Sequence, residues 1–169
     1  AEPAQLASLD YPLLTHIDAE RTDEIPIDTR PEVARTVRVE LRDEVDAVLG
    51  LLVRAHAEGR CACWVRNSVD DAIDAWQQLQ AAGVSLGQLD LFHARFALGD
   101  RLDKERQALA NFGPDSTQAQ RRGRILVATQ VVEQSLDLDF DLMVTDLAPM
   151  DLVIQRAGRL QRHRRGPRP

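Results

Sequence analysis

The sequence predicts an α/β domain in which a parallel β-sheet is covered by helices on both faces. Three observations carry that prediction. From residue 36 to residue 161, short segments of strand-like period alternate with longer segments of helical period. The joins between them are short and hold Gly, Asn or Ser. And 169 residues, 44% of them apolar, suffice for one core of ordinary size and leave little room for two.

The elements follow in order. Residues 1–35 are rich in Pro and acid, and "LDYP" and "DEIPIDTRPE" sustain neither period, so this stretch is expected to be a lead-in or interdomain linker. "TVRVEL" alternates Val37, Val39 and Leu41 with polar neighbours and predicts a strand. Asp43 is placed to cap a helix running to about Glu58, with Val45, Val48, Leu49 and Leu52 on one face and Gly59 as the stop. A strand "CACWV" follows, then Asn67 and Ser68 as turn and cap, then a helix carrying Val69, Ile73, Trp76 and Leu79 as far as Gly83. "LDLFH" predicts the next strand. A third helix, capped near Asp100, carries Leu102, Leu109 and Phe112 and stops at Gly113. "PDSTQAQRRG" reads as a polar loop, and "RILVAT" and "FDLMVTD" as two apolar strands. A last helix is expected from about Met150 to Gln161. Trp64 and Trp76, on a strand and on an apolar helix face, read as core.

Composition excludes several classes. No apolar run approaches the roughly 18 to 20 residues needed to span a bilayer, and nothing resembles a signal peptide, so a cytoplasmic protein with no membrane partner is expected. Cys61 and Cys63 share one strand face with backbones roughly 6 to 7 Å apart, a spacing that strains a disulfide. With no further Cys to complete a zinc site, they read as buried thiols. No metal site is expected, and His93 has no second ligand at suitable spacing. The net charge of −6 hides a polarised chain: residues 1–50 hold twelve acids against five Arg, and residues 153–169 hold six Arg and no acid. A Gly-rich phosphate loop ending in Lys-Ser or Lys-Thr is absent, and Lys104 is the only lysine. "DEVD", Asp43 to Asp46, has the look of an acidic metal box, but Arg42 precedes it and acids are favoured in a helix's first turn by its dipole.

Ligands of parallel α/β sheets gather beyond the carboxyl ends of the strands. That edge should carry "RNS" (66–68), "HARF" (93–96), "TQVVEQSLD" (129–137) and the start of the last helix. On that helix "QRAGRLQR" sets Arg156, Arg159 and Arg162 three apart as a ridge. Taken alone, such a ridge is most simply a solvated cationic face. Gly158, inside the expected helix at a cost of about 1 kcal/mol relative to Ala, suggests a close approach there instead.

The residues resemble a family. "VATQVVEQSLDLDFDLMVTDLAPMDLVIQRAGRLQRH" resembles the paired fifth and sixth motifs of superfamily-two helicases, in the variant of the helicase-nuclease of type I CRISPR systems, the Cas3 family. "CACWVRNSVDDAIDAWQQL" is similar to that family's fourth motif, and "LFHARFALGDRLDKE" to its His-Ser-Arg-Phe segment. The likeness covers about residues 36–165, with 166–169 as a truncated tail. It implies the second of two RecA-like domains, the helicase C-terminal domain, with the phosphate loop and acidic box on the first.

By position, the resemblance implies that Arg159 and Arg162 reach the γ-phosphate across the cleft, with Gln155 beside them. It further implies that Asp137 meets the ribose and that Thr129 and Gln130 contact DNA phosphates. Arg156 would pair with an acid inside the domain, and Arg164 and Arg165 would be solvated. Asn67, Ser68, His93 and Arg95 fall at strand ends on the implied DNA side, where hydroxyls, amides and arginines commonly hold phosphates; Asn67 and Ser68 serve equally as turn and cap. The implied cofactor is ATP with Mg, held mainly by the first domain and bound tightly by nothing in this chain alone. The implied partners are single-stranded DNA, the first RecA-like and nuclease domains of the parent chain, and the CRISPR RNA-guided surveillance complex.

Ser135 and Gln161 depart from the Gly found in many helicases, which suits the CRISPR variant and argues against a DEAD-box RNA helicase. Two other readings stay open. One is a domain of another superfamily-two DNA or RNA helicase. The other is a non-catalytic nucleic-acid-binding or interaction module with a helicase fold.

Overall fold

A computed structural model describes residues 8–10, 12–18, 21–28, 36–133 and 136–169. The chain divides into two units, residues 1–36 and 37–169. In the first, strands β1 (Leu13–Ile17) and β2 (Thr22–Pro26) pair antiparallel, Leu14 opposite Ile25 and His16 opposite Asp23. The expected lead-in segment therefore contains a hairpin that its composition does not announce.

The second unit is built on four parallel strands in the order β4-β5-β3-β6: β3 (Ala62–Val65), β4 (Leu89–Phe92), β5 (Ile125–Ala128) and β6 (Leu142–Thr145). Five helices accompany them: α1 (Val45–Ala57), α2 (Val69–Ala81), α3 (Leu98–Phe112), α4 (Gln118–Arg121) and α5 (Met150–Ala157). Because strand side chains alternate, each strand feeds two cores. Ala62, Trp64, Ile125 and Val127 pack on one face with Val48, Leu52 and Ala55 of α1 and Ala72, Ala75 and Leu79 of α2. Cys61, Cys63, Val65, Leu126 and Ala128 pack on the other with Ala108 and Phe112 of α3 and with Val131, Val132, Leu136, Leu138 and Phe140. This is the expected sheet covered on both faces.

The two tryptophans are core, as expected. Trp64 is buried with the Arg66 guanidinium 4.9 Å over its ring, and Trp76 packs against the α1–α2 side. Both thiols are free and buried, and burial pushes Cys61 up to about 12 and Cys63 higher still.

Local expectations fail at five places. Residues 36–41 form no strand, and Val39 and Leu41 stand exposed, because an alternating segment becomes a strand only where a neighbour takes its hydrogen bonds. Asp43 does not cap α1; Glu44 holds that position without a side-chain bond. Asp100 does not cap α3, which starts two residues earlier from Ala97, so that Asp100 falls in the first turn. The supposed polar loop contains α4, closed by a reciprocal capping box between Thr117 and Gln120. And α5 ends at Ala157 with Gly158 as its C-cap, so Gly158 marks a stop rather than a close approach.

Candidate active site

The residues from the last helix onward decide the geometry of the site. Gly158 ends α5, and Gln161 takes a left-handed backbone at φ 47°, so the chain leaves the helix and turns. Arg159 and Arg162 therefore do not form a helical ridge with Arg156. The tail instead passes parallel to the chain at Phe140, tied by a bridge of Phe140 to Leu160: Phe140 N donates to Arg159 O at 3.0 Å and Gln161 N to Phe140 O at 2.8 Å.

Along this pair of segments the arginines meet acids and carbonyls in succession. Arg156, buried, donates from Nε to Glu133 Oε1 at 2.6 Å and from Nη1 to Thr145 Oγ1 and Asp146 O. This is the internal ion pair expected of that position. Arg159 turns inward, Nη2 donating to Glu133 O at 3.0 Å and Nη1 to Leu136 O. Burial, and then the Arg162 charge, lower its pKa from the ordinary guanidinium value. Arg162 donates from Nε to Asp137 Oδ1 at 2.6 Å, both side chains about 45% exposed. His163 Nε2 lies 3.2 Å from the same oxygen but makes no hydrogen bond to it.

Arg165 was expected in solvent and is not there. Its Nε donates to Asp139 Oδ2 at 2.5 Å and its Nη atoms to Ser116 O and Gly113 O, each at 2.7 Å. Arg168 spans Asp141 Oδ1 at 2.5 Å and Asp139 Oδ2 at 2.9 Å. Asp139 has no exposed surface; burial raises its pKa, but hydrogen bonds from Arg168 and Arg165 and the Arg121 charge outweigh burial and hold it below the usual carboxylate value. Arg164 stays exposed, as expected.

At the carboxyl edge, Ser68 caps α2, its Oγ accepting from Asp71 N at 3.0 Å. Asn67 donates from Nδ2 to Leu147 O at 2.9 Å and from its backbone N to Asp146 Oδ2 at 2.9 Å. The same Asp146 oxygen accepts from Arg66 Nε at 3.0 Å, so Asp146 joins the ends of β3 and β6. Thr129 is buried, its N–H donating to Phe92 O at 3.2 Å, and Gln130 is exposed. His93 is buried and stacked on Phe96 at 4.1 Å between centroids, while Arg95 is exposed and pairs with Asp70. Gln155 is exposed on α5.

Three residues of this network escape a motif-based reading: Glu133, Asp139 and Asp146. The signal for Asp139 is the alternation of Asp137, Asp139 and Asp141 through an apolar stretch just before six arginines. A cleft lined by Glu58, Arg121, Arg122, Asp141, Arg164 and Arg168 lies at the opposite, amino edge of the sheet. Among the described residues no group of three or more His, Cys, Asp or Glu is arranged to hold a metal ion, and no helix is long and apolar enough to cross a membrane.

The parallel four-stranded sheet covered on both faces, with an arginine-rich segment following its last strand, defines the class as a RecA-like helicase domain. Residues 58–165 match the family model described as CRISPR-associated nuclease/helicase Cas3, C-terminal, and the chain belongs to that family. It is 47% identical over 122 residues, 72% of its length, to the CRISPR-associated endonuclease/helicase Cas3 of Escherichia coli strain K12, and spans 14% of that protein. It matches the crystal structure of T. fusca Cas3-ATP with a TM-score of 0.77 and 33% identity, over 96% of this chain and 20% of that one. A chain in a solved CRISPR RNA-guided surveillance complex, pre-nicking, matches with a TM-score of 0.73 and 34% identity, over 96% of this chain and 21% of that one.

Proposed function

We propose that this chain is the second RecA-like domain of an ATP-driven translocase on single-stranded DNA, which works with a nuclease in type I CRISPR interference in the cytoplasm. The observation that carries the nucleotide site is the 2.6 Å contact of Asp137 with Arg162. These two residues belong to separate motifs, one implied to meet ribose and the other phosphate, and they share one half-exposed spot. The residues present fit one wall of a nucleotide cleft: a carboxylate, a cation and the exposed amide of Gln155, with no phosphate loop among them.

ATP with Mg, held mainly by the first domain, supplies the phosphoryl group. With nucleotide bound, the Asp137 carboxylate would accept from the ribose hydroxyl in place of Arg162 Nε, which it holds at 2.6 Å. The half-exposed Arg162 guanidinium would then be the group available to neutralise charge that develops in phosphoryl transfer. Arg159 has further to go, since it must leave the carbonyls of Glu133 and Leu136 to serve as a second finger. Arg156, locked to Glu133 and Thr145, holds the base of α5 against β6 and leaves Gln155 facing out.

Leu147, Met150 and Ile154 are 80%, 71% and 64% exposed at the start of α5, an apolar strip suited to meeting the first domain. For DNA, the exposed Asn67, Ser68, Arg95 and Gln130 reach phosphates from the carboxyl edge, and the buried Thr129 and His93 hold the loops that present them. The likeness to a chain in a surveillance complex supports such a complex as the recruiting partner.

The test is R162A in the full-length parent protein. DNA-stimulated ATP turnover should fall by about 10³-fold or more, as for other arginine fingers, with affinity for single-stranded DNA within about threefold of wild type. Turnover retained by R162A overturns the assignment.

A further inference from the structure

We infer that Asp139 is a positioning residue for ATP turnover: its buried carboxylate fixes the backbone at Arg162 and so sets where that guanidinium can reach. The inference rests on the reading of Arg162 as the phosphate-facing residue.

Asp139 Oδ1 accepts the backbone N–H of Arg162 at 2.9 Å, and among the described residues this is the one hydrogen bond to that backbone. The same carboxylate takes Arg165 Nε at 2.5 Å and Arg168 Nη2 at 2.9 Å on Oδ2, with Arg168 Nη2 also 3.2 Å from Oδ1. Arg121 Nη2 lies 3.7 Å from Oδ2, and Arg121 Nη1 donates to the Asp139 carbonyl at 2.6 Å. The position of Asp139 is in turn set from α3, since its N–H donates to Phe112 O at 2.9 Å. The left-handed turn at Gln161 aims the next N–H at this carboxylate. Beyond the Phe140–Leu160 bridge, which ends with the bond from Gln161 N to Phe140 O, the tail has no helix or strand to define it, and at Arg162 the backbone is held by the Asp139 carboxylate. A buried, multiply bonded acid holds its partners tightly because each would otherwise be left unsatisfied.

Either orientation of an Asn at this position sets an amide N–H against a donor, Arg162 N on one side or Arg165 and Arg168 on the other. In the full-length parent protein, D139N should lower kcat for DNA-stimulated ATP hydrolysis by at least about tenfold. KM for ATP should stay within about threefold, the signature of an interaction used in the transition state. A merely structural acid would lower the melting temperature and leave kcat per folded enzyme unchanged. A kcat within about twofold of wild type, or a rise in KM alone, overturns the inference. Should D139N not fold, R165M, which removes one partner from the less buried side, decides by the same split. R162A measured alongside separates the two claims. If R162A abolishes turnover and D139N does not slow it, the Asp139 role fails alone; if R162A turns over normally, the nucleotide reading fails and takes this one with it.

Discussion

Five of the six arginines in residues 153–169 are held inside the domain: Arg156 by Glu133, Arg159 by two carbonyls, Arg162 by Asp137, and Arg165 and Arg168 by Asp139. Of the ion pairs, that of Arg156 and Glu133 is well buried, the side chains 2% and 7% exposed. Removing one partner strands the other charge, so E133A should cost about 3 kcal/mol in urea denaturation of this chain, whereas an exposed pair such as Arg106 and Asp103 should cost under about 1 kcal/mol. His93 gives a pH dependence. Burial, with the charges of Arg95 and Lys104, lowers its pKa below the ordinary 6.5 or so, so the unfolded chain binds the extra proton first. Its stabilisation is present above about pH 6.5 and is lost as pH falls through the depressed folded value. Thermal melts at pH 7.5 and pH 5 should therefore differ more for wild type than for H93F, which keeps the stack on Phe96. The family resemblance made the internal pairing of Arg156 with an acid legible in the sequence. That of Arg165 was not, because whether a cation near a chain's end is solvated depends on acids that only the fold brings to it.

Among the elements, the four strands of the parallel sheet and the three long helices were legible, since each buries a face whose period the sequence displays. Helix ends were less so. Asp43 and Asp100 are good caps by residue type, yet α1 and α3 start elsewhere, because packing of Val48 and Ala108 into the cores sets the helix position. The α4 turn was legible in principle, as Thr117 and Gln120 stand at capping-box spacing. Two glycines near turns separate by what surrounds them. Gly158 has a right-handed backbone, and an added Cβ would meet Gln155 O at 3.1 Å, so G158A should cost under about 1 kcal/mol. Gly123, at φ 65° with its Cβ position 2.7 Å from His56 O, allows no such relief, and G123A should cost about 2 to 3 kcal/mol. Equilibrium denaturation of the two variants gives the comparison.

At the scale of the whole molecule, the C-terminal arginines are answered by acids from residues 133–141, immediately upstream. On the proposed function, Asp137, Gln155 and Arg162 form one wall of a cleft that a second body closes. The chain alone should accordingly show no ATP hydrolysis, and adding the first RecA-like domain should restore DNA-stimulated turnover; substantial activity in a contaminant-free sample of this chain contradicts the two-wall reading. The sheet order has a consequence of another kind. Among the described residues β3 pairs only with β5 and β6, and β4 only with β5, so neither early strand meets a sheet neighbour until residues 125–128 have been made. On the ribosome, α1, β3, α2, β4 and α3 must wait as helices and unpaired segments, with Trp64, Phe92 and Phe112 uncovered, while the hairpin of β1 and β2 can close at once. The interval between synthesis of Val65 and of Ala128 is thus when the nascent chain is most open to chaperones and to misassembly, and a translational pause should be harmless before β3 and harmful within that interval.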